Sequence, residues 1–181
     1  MKTKGKYLFL FIFLIIIGLL GCTRHIKPLK FDIDSSTIPN FHGKIPIAVI
    51  VPESADKEYL VEYTDPEKTG TAKVYVDLND LYKNAKELIE MELSKHEIKS
   101  SQSAEKQIKF TITKAQWEIW AGGFAIGAYL EFDIETKEGY KAHYRVQDGS
   151  GMDVSRSVGG TVSRAVEKIF QDDQIIKYLE G

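Results

Sequence analysis

The sequence predicts an α+β domain: an antiparallel sheet of about four to five strands with two main helices packed on one face. Two observations carry that expectation. Residues 108–146 alternate apolar and polar side chains with a period near two, whereas residues 78–93 and 154–170 place their apolar side chains at helical spacing. A chain of 181 residues with 43% hydrophobic residues holds one ordinary domain and leaves little room for a second. Its single cysteine excludes an internal disulfide framework, a Cys-ligated zinc site and an iron–sulfur cluster, each of which needs several sulfurs.

The first strand is the β-branched run Ile45-Pro-Ile-Ala-Val-Ile-Val-Pro52, whose continuous apolarity suits burial on both faces. Residues 53–70 are polar, with turn signals at Asp65-Pro66 and Lys68-Thr69-Gly70, and read as a long loop. Val74 and Val76 then mark a second strand. Asp77 is placed to cap the first helix, in which Leu78, Leu81, Tyr82, Ala85, Leu88, Ile89 and Leu93 form the apolar stripe. Lys83, Lys86, Glu87, Glu90 and Glu92 make the face expected in solvent, and His96 suits the helix C-terminus as a cation.

A three-strand meander follows. Ile108, Phe110 and Ile112 share one parity, but Ala115, Trp117 and Ile119 share the other, which requires a bulge near Thr113. Ala121-Gly122-Gly123 turns the chain into Ile126, Ala128, Leu130, Phe132 and Ile134, and Lys137-Glu138-Gly139 turns it again into Tyr140, Ala142, Tyr144 and Val146. Glu131, Asp133 and Glu135 alternate with that apolar set, so their row belongs on the wet face, with Lys141 and His143 as neighbours. Asp148-Gly149-Ser150-Gly151 should break the strand. The last long helix carries Val154, Val158, Val162, Ala165, Val166 and Ile169, and Gly159-Gly160 within it implies close approach to the sheet. Asp172 and Asp173 can cap a short final helix.

The N-terminus speaks of location. Lys2, Lys4 and Lys6 precede a 14-residue apolar run that ends at Leu20. A membrane-spanning helix needs about 20 such residues, so the run fits a signal-peptide core better than a permanent span. Leu19-Leu20-Gly21-Cys22 looks like a lipobox, the motif of bacterial lipoproteins, in which the peptidase cuts after a small residue and the cysteine sulfur receives a diacylglyceryl group. The expected organisation is a signal peptide over residues 1–21, a lipidated N-terminus and flexible tether over residues 22–43, and one α+β domain over residues 44–181. Stretched at about 3.5 Å per residue, such a tether would reach roughly 70 Å. Cleavage leaves 21 basic against 26 acidic side chains, a balance that disfavours nucleic acid as a partner. By resemblance to lipoproteins of double-membrane bacteria, Thr23 after the cysteine permits transfer to the outer membrane.

The order lipobox, linker, proline-bounded strand, amphipathic helix, long strand hairpin and a closing helix ending Ala165-Val-Glu-Lys-Ile-Phe-Gln-Asp-Asp-Gln-Ile-Ile-Lys-Tyr-Leu179 resembles the YajG-type family of bacterial envelope lipoproteins. The resemblance implies a lipid-anchored α+β domain and supplies no activity or functional residue besides the lipobox cysteine. No nucleophile elbow, phosphate loop, dinucleotide fingerprint or zincin motif occurs, so neither an enzyme nor a cofactor or metal is expected. The expected role is a non-enzymatic accessory or assembly module at the periplasmic face of a membrane, held by lipid and meeting an envelope protein partner. The alternative is an auxiliary lipoprotein of a transport or lipid-handling system. Trp120 is out of phase with Trp117 and Ile119, and with Phe124 it flanks the glycine turn, which nominates Trp120 and Phe124 as a docking site for that partner.

Overall fold

The computed structural model describes residues 23–53, 59–62, 73–120, 125–151 and 153–181. In chain order these form β1 (Thr23–Ile26), β2 (Ile47–Ile50), β3 (Tyr59–Glu62), β4 (Lys73–Val76), α1 (Leu78–Lys95), β5 (Lys106–Trp120), β6 (Ala125–Thr136), β7 (Lys141–Ser150), α2 (Val154–Phe170) and α3 (Asp173–Glu180). The class is α+β, as the two periodicities require. The strands divide into a four-stranded sheet ordered β2-β5-β6-β7 and a three-stranded sheet ordered β1-β4-β3.

The purely antiparallel expectation fails at two strands. β2 lies parallel to β5, with Ile47 opposite Lys106 and Ile50 opposite Lys109, and β1 lies parallel to β4. The connection explains the first case: between β2 and β5 the chain passes through β3, β4 and the whole of α1, the long crossover that parallel neighbours need. The meander β5-β6-β7 is antiparallel throughout. Its register shifts between Ile112 and Lys114, at the parity change, so that Ile108, Phe110 and Ile112 and then Ala115 and Trp117 all face the core. β7 continues through Asp148 and Gly149 to Ser150, which pairs with Ile126, so those residues extend the strand instead of breaking it.

The helices are capped as their sequences allow. Asp77 accepts from the Asn79 N–H at 2.8 Å, and Asp172 accepts from Gln174 and Ile175 at the start of α3. Leu88 and Ile89 of α1, Leu130 and Phe132 of β6, and Val162 and Val166 of α2 lie together in one core. On the opposite face of the sheet, Glu135 pairs with Lys141 at 2.9 Å and Asp133 with His143 at 2.7 Å, the wet cross-strand row that the alternation implied.

Two segments depart from expectation. Within the presumed loop of residues 53–70, Tyr59–Glu62 forms β3, because Tyr59-Leu60-Val61 finds an antiparallel partner in β4. The larger correction concerns residues 26–43. Ile26, Ile33, Ile38 and Phe41 are all buried in the main core, so this stretch is a strap docked on the domain and no flexible tether. Its apolar residues follow neither helical nor strand spacing, because a 3-10 turn at Ser35–Thr37, capped by Asp34, interrupts an otherwise extended path.

Candidate functional site

The strap is held along both long helices. On the α2 side, the Leu29 N–H donates to the Ser155 carbonyl at 3.1 Å, Ser163 Oγ donates to the Phe31 carbonyl at 3.0 Å, and the Asp34 N–H donates to Glu167 Oε1 at 2.9 Å. Gln171 Nε2 continues the series to Thr37 Oγ1 at 3.0 Å. On the α1 side, Lys30 pairs with Glu87, Ser35 Oγ donates to Glu92 Oε2 at 3.2 Å, and His96 Nδ1 donates to the Phe41 carbonyl at 2.9 Å. The Phe41 ring stacks on the His96 ring at 3.8 Å. The strap therefore runs in the groove between α1 and α2, in the direction of both.

That cover explains residues the amphipathic pattern misplaces. Glu92 was expected in solvent, yet it is fully buried, because the strap closes over the face where it sits. Lys95 Nζ lies 2.9 Å from its Oε2, while His96 Nε2 at 3.4 Å approaches an Oε1 that has no hydrogen bond. His96 thus bridges helix and strap, a more specific part than a cation at a helix end. Gly159 and Gly160 serve the same packing on two fronts. A Cβ on Gly159 would stand 1.9 Å from the Leu29 carbonyl oxygen, and one on Gly160 would stand 1.7 Å from Asp148 Oδ2 of β7.

A polar cleft of about 280 Å³ opens where the strap, β7 and α2 meet, lined by Asp34, Asp148, Arg156, Arg164 and Glu167 among others. Its charges answer one another. Arg164 donates to Glu167 Oε2 at 2.9 Å, and that bond holds its guanidinium more firmly protonated. The Ser36 hydroxyl and N–H bonds keep the Asp34 carboxyl below the ordinary range. A second cleft, about 560 Å³, is lined by Val49, Val51, Tyr82, Lys83, Lys86 and Gln102 with their neighbours. The Tyr82 hydroxyl there accepts from the Ile112 N–H at 3.1 Å, and burial pushes its pKa up. At the far end of α2, Asp172 accepts from the hydroxyls of both Tyr140 and Tyr144, tying α3 to β7. No group of three or more His, Cys, Asp or Glu residues that could hold a metal ion occurs among the described residues.

Of the site residues read from the sequence, Leu19, Leu20, Gly21, Cys22 and Phe124 lie outside the described residues, as does the side chain of Trp120. The Trp120 backbone pairs with Ala125 at the last register position of the β5-β6 hairpin. Trp117 is buried opposite Ala128, the core position its parity predicts. The strap contacts escaped the sequence reading. The signal for them was the recurrence of Ile26, Leu29, Phe31, Ile33, Ile38 and Phe41 among turn residues and prolines.

Comparison with known proteins supports the fold and leaves the chemistry to this chain. No family model matches the sequence, and no curated protein matches it. Among solved structures, protein XCC0632 from Xanthomonas campestris, of the family DUF330, superposes with a TM-score of 0.52 over 86% of this chain and 94% of its own, at 8% identity. A PelC dodecamer from Paraburkholderia phytofirmans gives a TM-score of 0.37 at 12% identity, over 80% of this chain and 95% of its own. This chain is similar to the DUF330 protein in fold. At 8% identity no functional residue carries across.

Proposed function

We propose that this chain is a lipid-anchored bacterial envelope lipoprotein of YajG type, a non-enzymatic accessory or assembly module at the periplasmic face of the outer membrane. The observation that carries the reading is Leu19-Leu20-Gly21-Cys22 at the end of a lysine-led apolar run, with the chain's single cysteine at the modification point. Each buried acyl methylene contributes about 0.8 kcal/mol to membrane binding, so two or three chains anchor firmly. A docked domain joined directly to such an anchor suits a component that presents a fixed surface to an envelope protein partner. The test is metabolic labelling with radioactive palmitate. Wild type should take up label and fractionate with membranes, and Cys22→Ser should lose both; equal labelling of the variant refutes the anchor.

The second reading, an auxiliary lipoprotein of transport or lipid handling, draws on the cleft between α1 and β2. Its wall combines apolar Val49 and Val51 with Lys83 and Lys86, a pairing that suits an amphiphile with an anionic head. Lipid co-purifying with the wild type and lost on Lys83→Glu/Lys86→Glu would favour it, and delipidated protein of unchanged thermal stability would count against it.

A further inference from the structure

Several elements begin or end at one pole of the domain. Thr23 lies level with Lys73 and Ile26 with Val76, and Asp77 then caps α1, so the end of β1 at Ile26, four residues after Cys22, stands at the N-terminal end of α1. The Leu29–Ser155 bond puts the start of the strap at the N-terminal end of α2 as well. Ser150, at the end of β7, pairs with Ile126, just before α2 begins at Val154. The opposite pole holds the Lys137–Gly139 turn and the C-terminus: Lys137 N–H donates to the Gln107 carbonyl, and Lys106 Nζ to the Tyr178 carbonyl. Eighteen residues of α1 at about 1.5 Å each set the two poles roughly 27 Å apart.

In the sequence Cys22 immediately precedes Thr23, the first residue of the paired strand β1. No free chain separates a lipid on that cysteine from the folded domain. Residues 22–31 carry Arg24, Lys27 and Lys30 and no acid, and Leu29 among them is 46% exposed. Asp32 and Asp34 follow directly, Lys30 is paired with Glu87, and Asp77 and Asp153 accept from helix N–H groups, which leaves Arg24 and Lys27 as the cations nearest the anchor. Short basic segments beside an anchor are attracted to anionic headgroups.

The geometry points to this pole as a membrane-contact surface: the domain lies against the bilayer that carries its anchor, with β1 and the start of the strap at the headgroups and the Lys137–Gly139 turn facing away. The inference rests on lipidation of Cys22 and adds an orientation to it. The docked strap is what fixes that orientation, since a tether would leave every face equally free.

The test uses the mature lipoprotein reconstituted into phosphatidylcholine–phosphatidylglycerol vesicles that carry a nitroxide on a fraction of headgroups. A thiol-reactive fluorophore is placed by Leu29→Cys or, separately, by Glu138→Cys; both sites are exposed, and the acylated Cys22 does not react. Quenching several-fold greater at position 29 than at 138 is expected. Equal quenching at both positions, or more at 138, in protein that remains bound to vesicles overturns the orientation while leaving the anchor intact. Protein that fails to bind and whose Cys22 takes the fluorophore overturns the anchor and the orientation together.

Discussion

Phe41→Ala separates a docked strap from a flexible tether more sharply than any other single change. Phe41 is 2% exposed, stacked on His96 at 3.8 Å and 6.0 Å from the Phe170 ring. Truncating a phenylalanine so enclosed costs about 3–5 kcal/mol, from lost burial and from the cavity left where the strap cannot collapse. The bond from His96 Nδ1 goes to the Phe41 carbonyl, which the substitution retains, so the loss reports chiefly the packing and stacking of the ring. For a domain of this size, about 2–4 °C of melting temperature accompanies each kcal/mol, giving a fall of roughly 6–20 °C. Urea unfolding of the soluble chain from Thr23 onward should show a lower midpoint at unchanged slope. Leu29→Ala, at an exposed strap position, should stay within about 0.5 kcal/mol of wild type. A Phe41→Ala midpoint equal to that of Leu29→Ala would show that residues 26–43 do not dock.

Four further outcomes are expected. Leu88→Ala and Leu130→Ala, both in the shared core of helix and sheet, should each lose about 2–5 kcal/mol in chemical denaturation, and unchanged curves would mean the helix and strand faces are wrongly assigned. Trp117→Ala should destabilise by about 3–5 kcal/mol, whereas Trp120→Ala should leave the melt in place and weaken crosslinking to envelope partners, and a matched fall in both melts would remove Trp120 from the docking proposal. Burial raises the pKa of Asp172, but the hydroxyls of Tyr140 and Tyr144 and the N–H groups of Gln174 and Ile175 outweigh it and hold the carboxyl below its ordinary value. Its stabilisation is therefore complete above about pH 4 and lost as pH falls further, so Asp172→Asn should flatten the acid limb of the stability profile. Burial first, and then the bond to Asp172, push Tyr144 well above its ordinary value, so stability should also fall as pH rises past about 10. Identical acid limbs for wild type and Asp172→Asn would contradict the role given to the two tyrosines.

Periodicity made the main layers of the fold legible. The parity change from Ile112 to Ala115 located the bulge, and the caps at Asp77 and Asp172 follow from short acidic side chains ahead of helical stripes. What stayed hidden was of another kind. Strand direction is a property of the connection, so the parallel pairing of β2 with β5 could not be read from Ile47–Ile50 alone. The strap was hidden because docking of an irregular segment leaves no period, and Glu92 was misplaced because one helix cannot show what covers its far face. Gly159 announced a close approach, but the sequence suggested the sheet as the neighbour, and the neighbour is the strap at Leu29. For the site, the lipobox is legible because a peptidase and a lipid transferase read it as linear sequence; the surface a partner would meet is made by the fold.

Intact mass spectrometry of the protein extracted from bacterial membranes tests the central claim most directly. A lipid-anchored lipoprotein predicts a chain beginning at Cys22, lacking residues 1–21 and heavier than its sequence by a diacylglyceryl group, with or without a further N-acyl chain. A chain that retains residues 1–21, or one that begins elsewhere and carries an unmodified Cys22, would contradict it.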